Sequence, residues 1–243
     1  MKLDRVTITG ADDSVKPSDL YDLSRRFQFV EWGILVSKNS AGTRRFPSPD
    51  WITSLMGPAY DIPMRFSMHV CGSWLRRLLT GHNEIAKQLL CYDFQRVQLN
   101  FHAEDLPVDE GRLADVLFEA FGKREIIFQI DGNRGQEYLA IVGDGKQAFT
   151  PLPLFDCSHG AGVLAKEWPK PFDVDTYHGY AGGLGPDNLA DQIPLIAQAA
   201  GAARFWIDME TRVRSNSDQQ FDLAKVEECL TICAPFVESA RGS

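Results

Sequence analysis

No stretch of this chain approaches the ~18 consecutive apolar residues that a membrane helix requires. Its first residues, Met-Lys-Leu-Asp-Arg-Val-Thr-Ile, lack the apolar core of a secretory signal, so the expected setting is the cytoplasm with no membrane contact. Basic charge is in short supply. Lys and Arg number 25 against 33 Asp and Glu, for a formal net charge of −8, and the cations are scattered along the chain. That balance argues against nucleic acid and anionic lipid as partners. Cysteine pairs at metal or redox spacing are missing as well. Cys71, Cys91, Cys157, Cys229 and Cys233 are an odd set without a C-x-x-C, as expected for free thiols in a reducing compartment. Low-complexity segments and linker-like runs are absent too, and residues 1–243 read as one domain.

What is present is alternation. With 44% hydrophobic residues and 24% charged ones, the chain has enough apolar surface for a real core. Strand-like stretches at 5–9, 29–37, 64–71, 96–102, 125–131, 151–157, 177–181 and 203–209 are each followed by a helical or irregular segment. The helical patterns include 17–27, a start at Pro49, 73–79 continuing at 83–90, 110–121, a stretch to about residue 199, and 221–236. Eight β-then-α units in a chain of this length predict parallel strands closed into a (β/α)8 TIM barrel.

Parity within the strands predicts which side chains face the axis. Val97 and Leu99 alternate with Gln98, Asn100 and His102. Ile126, Phe128 and Ile130 alternate with Gln129 and Asp131, and Met68 and Val70 with Ser67, His69 and Cys71. Phe205, Ile207 and Met209 alternate with Asp208 and Glu210, and Val6 and Ile8 with Thr7 and Thr9. The apolar parity belongs under the helices. The polar parity then gathers inside, with Thr9, Cys71, His102, Asp131, Asp156 and Asp208 at the C-terminal strand ends, where barrels of this type keep their sites.

Residues 177–188, Tyr-His-Gly-Tyr-Ala-Gly-Gly-Leu-Gly-Pro-Asp-Asn, join a strand to a helix through Gly182, Gly183 and Gly185. Backbone N–H groups and a helix start at one point make a site for phosphate, with Pro186 suited to the first helical position. The same residues also read as a tight turn without a ligand.

These motifs resemble one family. Gly182-Gly183-Leu184-Gly185-Pro186-Asp187-Asn188 is similar to the Gly-Gly-Leu-x-Pro-Glu-Asn turn of phosphoribosylanthranilate isomerase. Leu154-Phe155-Asp156 with Ser158-His159-Gly160-Ala161-Gly162 and Trp168 resembles its sixth strand and the loop that follows. Trp32-Gly33-Ile34-Leu35-Val36, with Ser40 to Phe46, resembles its second strand and loop. Ile207-Asp208 with Phe221-Asp222-Leu223 and Lys225 resembles its last unit more loosely. The resemblance implies a cofactor-free Amadori rearrangement of a phosphorylated sugar derivative, as in tryptophan biosynthesis. It implies Asp156 as the acid, Arg45 (or its neighbour Arg44) as the partner of a substrate carboxylate, and Gly183 with its neighbours as the phosphate turn. The first strand departs from the family: Thr9 stands where the family has a cysteine base. A threonine hydroxyl cannot replace a thiolate near neutral pH. Near the last strand, Arg212 and Arg214 replace the family's turn; they read either as charge-assisted forks for a phosphate or as solvated surface charges.

The general base is therefore open, with Cys71 and Asp131 preferred to Thr9. A neighbouring imidazolium at His69 would lower the Cys71 thiol. Thr9, His102, Asp208 and Arg212 are candidates for substrate contact. His69, Cys71, His102 and Asp131 lack metal-ligand spacing, so no metal is expected. Two alternatives stand beside the isomerase: a diverged barrel lyase or aldolase, and a non-catalytic barrel that binds a phosphorylated ligand. No inward lysine stands out for a Schiff base, which counts against a class I aldolase. Self-association is left open.

Overall fold

The structure, a computed structural model, describes residues 2–57, 60–80, 82, 92–100, 110–130, 149–156, 158 and 162–237. Eight strands form a closed parallel barrel: β1 (Leu3–Thr9), β2 (Val30–Val36), β3 (Phe66–Val70), β4 (Arg96–Leu99), β5 (Glu125–Ile130), β6 (Thr150–Asp156), β7 (His178–Ala181) and β8 (Phe205–Met209). β8 pairs with β1 through Val6 opposite Ile207 and Thr7 opposite Asp208, so the sheet has no free edge. Six helices lie among the described residues: α1 (Pro17–Arg26), α2 (Pro49–Met56), α3 (Gly72–Leu79), α4 (Glu110–Phe121), α5 (Leu189–Ala200) and α6 (Leu223–Cys233). The expected helix at 83–90 and the one after β5 lie outside the described residues.

Local sequence explains the helix starts. Ser48 accepts a hydrogen bond from the Trp51 N–H at 3.2 Å, and Pro49 fills the first helical position of α2. Asp222 accepts from the N–H groups of Ala224 and Lys225 at the head of α6. One boundary differs from expectation. α5 begins at Leu189, not Pro186. Both Asn188 and Leu189 donate to the Gly185 carbonyl, so Pro186 opens a preliminary turn that the helix then extends.

The strand parity holds. Val6, Ile8, Ile34, Val97, Leu99, Ile126 and Ile207 are fully buried in the layer beneath the helices. A separate apolar group, Ile127, Leu152, Leu154 and Trp206, fills part of the axis. Around it lie Thr7, Thr9, Glu31, Ser67, His69, Arg96, Gln98, Gln129 and Asp208, all buried. Gly33 makes room for them. A β-carbon there would stand 2.1 Å from Thr9 Oγ1 and 2.9 Å from the His69 ring.

Toward the N-terminal end, an ion cluster plugs the axis. Glu31 is fully buried and accepts from Arg5 (2.7 Å), Arg96 (3.0 Å) and the Thr7 hydroxyl (3.0 Å). Burial pushes the Glu31 carboxyl up, but Arg96 and Arg5 outweigh that and hold it below the usual carboxylate range. Arg96 also lies over the Trp206 ring, 4.2 Å from its centre. The Glu31 carboxylate thus has three donors, while Arg5 Nε, Arg96 Nε and Arg96 Nη2 are buried without a hydrogen-bond partner.

Candidate functional site

The C-terminal strand ends line one cavity. β4 contributes Gln98 and, just beyond it, Asn100. β5 contributes Gln129, and β6 contributes Leu154, Asp156 and the following Ser158. The turn after β7 adds Gly182, Gly183 and Leu184, and β8 with its exit adds Asp208, Met209, Glu210, Thr211 and Arg212. Parity delivers the polar strand residues, each an even number of positions from an inward neighbour, while Met209 reaches the lining from the last position of β8.

Two carboxyls in this cavity have different surroundings. Asp208 lies deep, and the Thr9 hydroxyl donates to its Oδ1 at 2.7 Å. Burial pushes its carboxyl up to about 8. Thr9 pulls in the opposite direction, while the charges of Glu210, Glu31 and Asp156 add to the rise. Near neutral pH Asp208 therefore holds a proton. Asp156 is gripped by donors on both oxygens: Gln129 Nε2 on Oδ2, and the Ser158 N–H (2.9 Å) and hydroxyl (2.7 Å) on Oδ1. The Asp-x-Ser spacing of 156–158 lets the loop fold back on its own carboxylate.

Cys71 sits at the edge of this group. Asn100 Nδ2 donates to its sulfur at 3.3 Å, and the thiol faces the His69 carbonyl at 3.6 Å. The expected lowering by an imidazolium is not what this environment produces. Burial pushes the Cys71 thiol up and the Glu210 charge adds to it, so the thiol stays protonated. Thr9 lies below the cavity lining and acts through Asp208. His102 and Asp131 lie outside the described residues.

The glycine turn is shaped as much by packing as by access. Gly182 and Gly183 have φ of +127° and +61°. A β-carbon on Gly183 would come within 2.4 Å of the Leu164 backbone nitrogen, so the segment after β6 lies directly against it. Asn188 closes the turn, accepting from the Gly185 N–H at 3.0 Å and donating to the Gly183 carbonyl at 2.9 Å. Arg212 stands at the rim and pairs with the exposed Asp187 at 2.7 Å.

Arg45 is placed differently from the role the resemblance implies. It pairs with Glu210, and its Nε reaches both Asp218 oxygens at 2.9 and 3.0 Å. Arg214, fully buried, donates to Asp12 at 2.7 Å and to the Asp218 carbonyl at 3.3 Å, and pairs with the Asp218 carboxylate at 2.9 Å. The Arg45 N–H also donates to Asp12 at 2.8 Å. These residues strap the loops after β1, β2 and β8 together. Asp12, on the loop after β1, is the centre of the strap. Among the described residues no group of three or more His, Cys, Asp or Glu side chains is arranged to hold a metal ion. No helix among them is long and apolar enough to cross a membrane.

A closed parallel barrel with a polar cavity at its C-terminal strand ends defines a TIM-barrel protein. Solved structures bear out that fold. The chain is similar to monomers generated from the dimeric phosphoribosylanthranilate isomerase of Thermotoga maritima, with a TM-score of 0.55 and 13% identity over 96% of this chain and 100% of that one. It is also similar to the spore coat polysaccharide biosynthesis protein SpsE of Bacillus subtilis, with a TM-score of 0.51 and 12% identity over 96% of this chain and 68% of the other. No protein-family model and no curated protein sequence matches the chain. Identities this low carry the fold and leave the chemistry to the site itself.

Proposed function

We propose that the barrel is a cofactor-free acid/base isomerase of a phosphorylated sugar derivative, carrying out an Amadori-type aldose–ketose rearrangement. The observation that carries this reading is the pair of carboxyls, a protonated Asp208 and a hydrogen-bonded Asp156, in one cavity beside a glycine turn. Two carboxyls in contrasting surroundings divide acid and base work between them. Asp208 donates its proton to the ring oxygen as the C1–O bond opens, and Asp156 removes the C2 proton. Asp156 then returns that proton to C1, while Asp208 takes the proton of the C2 hydroxyl as the ketone forms. Both groups end as they began. This gives Asp156 the base role in place of the acid role implied by the resemblance, and it needs neither Cys71 nor Asp131. The turn at Gly182 and Gly183, with Arg212 at the rim, is the place for the phosphate.

Phosphoribosylanthranilate is the first substrate to test, with ketose product measured by chromatography. Asp156→Asn and Asp208→Asn should each cost about 10²–10⁴-fold in rate, the usual worth of general acid–base catalysis. Equal turnover by wild type and either variant removes that residue from the mechanism. A non-catalytic ligand barrel is the second reading, favoured by the engagement of Arg45 with Glu210 and Asp218. It gains if wild type is inactive and Thr9→Cys acquires isomerase activity.

A further inference from the structure

Two amides of the cavity lining keep their side-chain oxygens buried and without hydrogen-bond partners. Gln98 and Gln129 enter from β4 and β5, and each is 4% exposed. Gln129 Nε2 donates to Asp156, which fixes the amide: turned the other way, its oxygen would face a carboxylate. Gln98 Nε2 donates to Asn100 Oδ1 at 2.8 Å, and Asn100 spends its own N–H on Cys71. One N–H of each of the three amides is thus engaged. Gln98 Oε1 and Gln129 Oε1 are left buried with no hydrogen-bond partner. Buried acceptors of this kind are rare and costly unless something donates to them.

Both amides line the same cavity as Asp156, Asp208 and Glu210. The two amide oxygens can only accept hydrogen bonds, and the cation among the described lining residues, Arg212, belongs to the rim. An anion directed at the floor would meet acceptor oxygens. A neutral chain of hydroxyls would meet partners.

The geometry points to a hydroxyl-recognition floor: Gln98 Oε1 and Gln129 Oε1 each accept from a hydroxyl of a polyhydroxylated ligand, whose anionic end stays at the rim by Arg212 and the glycine turn. The placement of the anionic end rests on the function proposed above; the hydroxyl contacts rest on the two amides alone. Gln129 then has a double part, holding Asp156 with its nitrogen and the ligand with its oxygen. An acid/base step placed beside the carbon that bears the recognised hydroxyl gains its orientation this way.

Isothermal titration calorimetry on the full chain with ribulose 5-phosphate, inorganic phosphate and ribitol tests this. Wild type should bind ribulose 5-phosphate at least about tenfold more tightly than inorganic phosphate, and should bind ribitol. Gln98→Leu and Gln129→Leu should each weaken ribulose 5-phosphate by about three- to tenfold and leave inorganic phosphate unchanged, the net worth of one hydrogen bond. Equal wild-type affinity for the two phosphates overturns the hydroxyl floor and leaves the phosphate turn standing. Ribitol binding without phosphate binding upholds the floor and overturns the phosphorylated substrate. Binding of none of the three overturns both. Folded leucine variants that keep wild-type affinity for ribulose 5-phosphate overturn it too, and the wild-type comparison keeps the proposal falsifiable if a variant fails to fold.

Discussion

The hydroxyl of Thr9 donates to Asp208 Oδ1 over 2.7 Å, joining the first strand to the last inside the barrel. The bond favours ionised Asp208, yet burial wins and carries the carboxyl from 3.8 to about 8. Between those values the folded chain keeps a proton that the unfolded chain has released. Stability should therefore fall as pH rises through that window, at about 1.4 kcal/mol per pH unit for this one group. Urea midpoints taken across the window should show the decline in wild type and a flatter profile in Asp208→Asn. Parallel profiles would assign the decline to another group.

Thr9→Val keeps the shape of the side chain and removes its hydroxyl. Asp208 then loses the donor that opposes its rise, and its titration should move to still higher pH. Carbon NMR of the Asp208 carboxyl reads this directly. A shift to lower pH would show that Thr9 contributes something other than its hydrogen bond.

Glu31→Gln should destabilise by about 3–5 kcal/mol, because Arg5 and Arg96 would remain as buried cations without their shared carboxylate. The pH dependence is opposite to that of Asp208. The Glu31 carboxyl is held low, so its contribution is present above its unfolded value of 4.5 and fades as pH falls through the folded one. Denaturant unfolding of wild type and variant should therefore converge in acid.

Gly33→Ala should cost about 1–3 kcal/mol, the range for an overpacked core. The added methyl would stand 2.1 Å from Thr9 Oγ1, so Thr9 or the strand must move. Thermal melting measures the cost. The same displacement should perturb the Thr9–Asp208 bond and shift the Asp208 titration, which a loss of packing elsewhere would leave alone.

The barrel was legible because parity is a local signal. Val97-Gln98-Leu99-Asn100 states which side chains face inward without reference to any other strand. Asp156 and Asp208 were legible as inward-facing residues of the C-terminal strand ends for the same reason. Partnerships were not. Nothing near Asp12 in sequence announces Arg214, and nothing near Thr9 announces Asp208, because barrel closure alone brings them together. Glu31 did leave a trace, as one charged residue inside the apolar run Val30-Glu31-Trp32-Gly33-Ile34. A charge in such a run demands a buried partner. Its cations, Arg5 and Arg96, come from strands 26 and 65 positions away.

The Thr9–Asp208 bond spans 199 positions, whereas Gln129 and Asp156 are 27 apart. Contacts of long sequence separation carry the greater loop-closure entropy and belong to the slow phase of folding. A refolding chain should accordingly acquire the grip on Asp156 while its sheet is still open, and the protonated Asp208 only when β8 docks on β1. Any reaction that needs both groups then has a lag set by ring closure. The return of the Asp208 titration is a clock for that event, separate from the earlier return of helical signal.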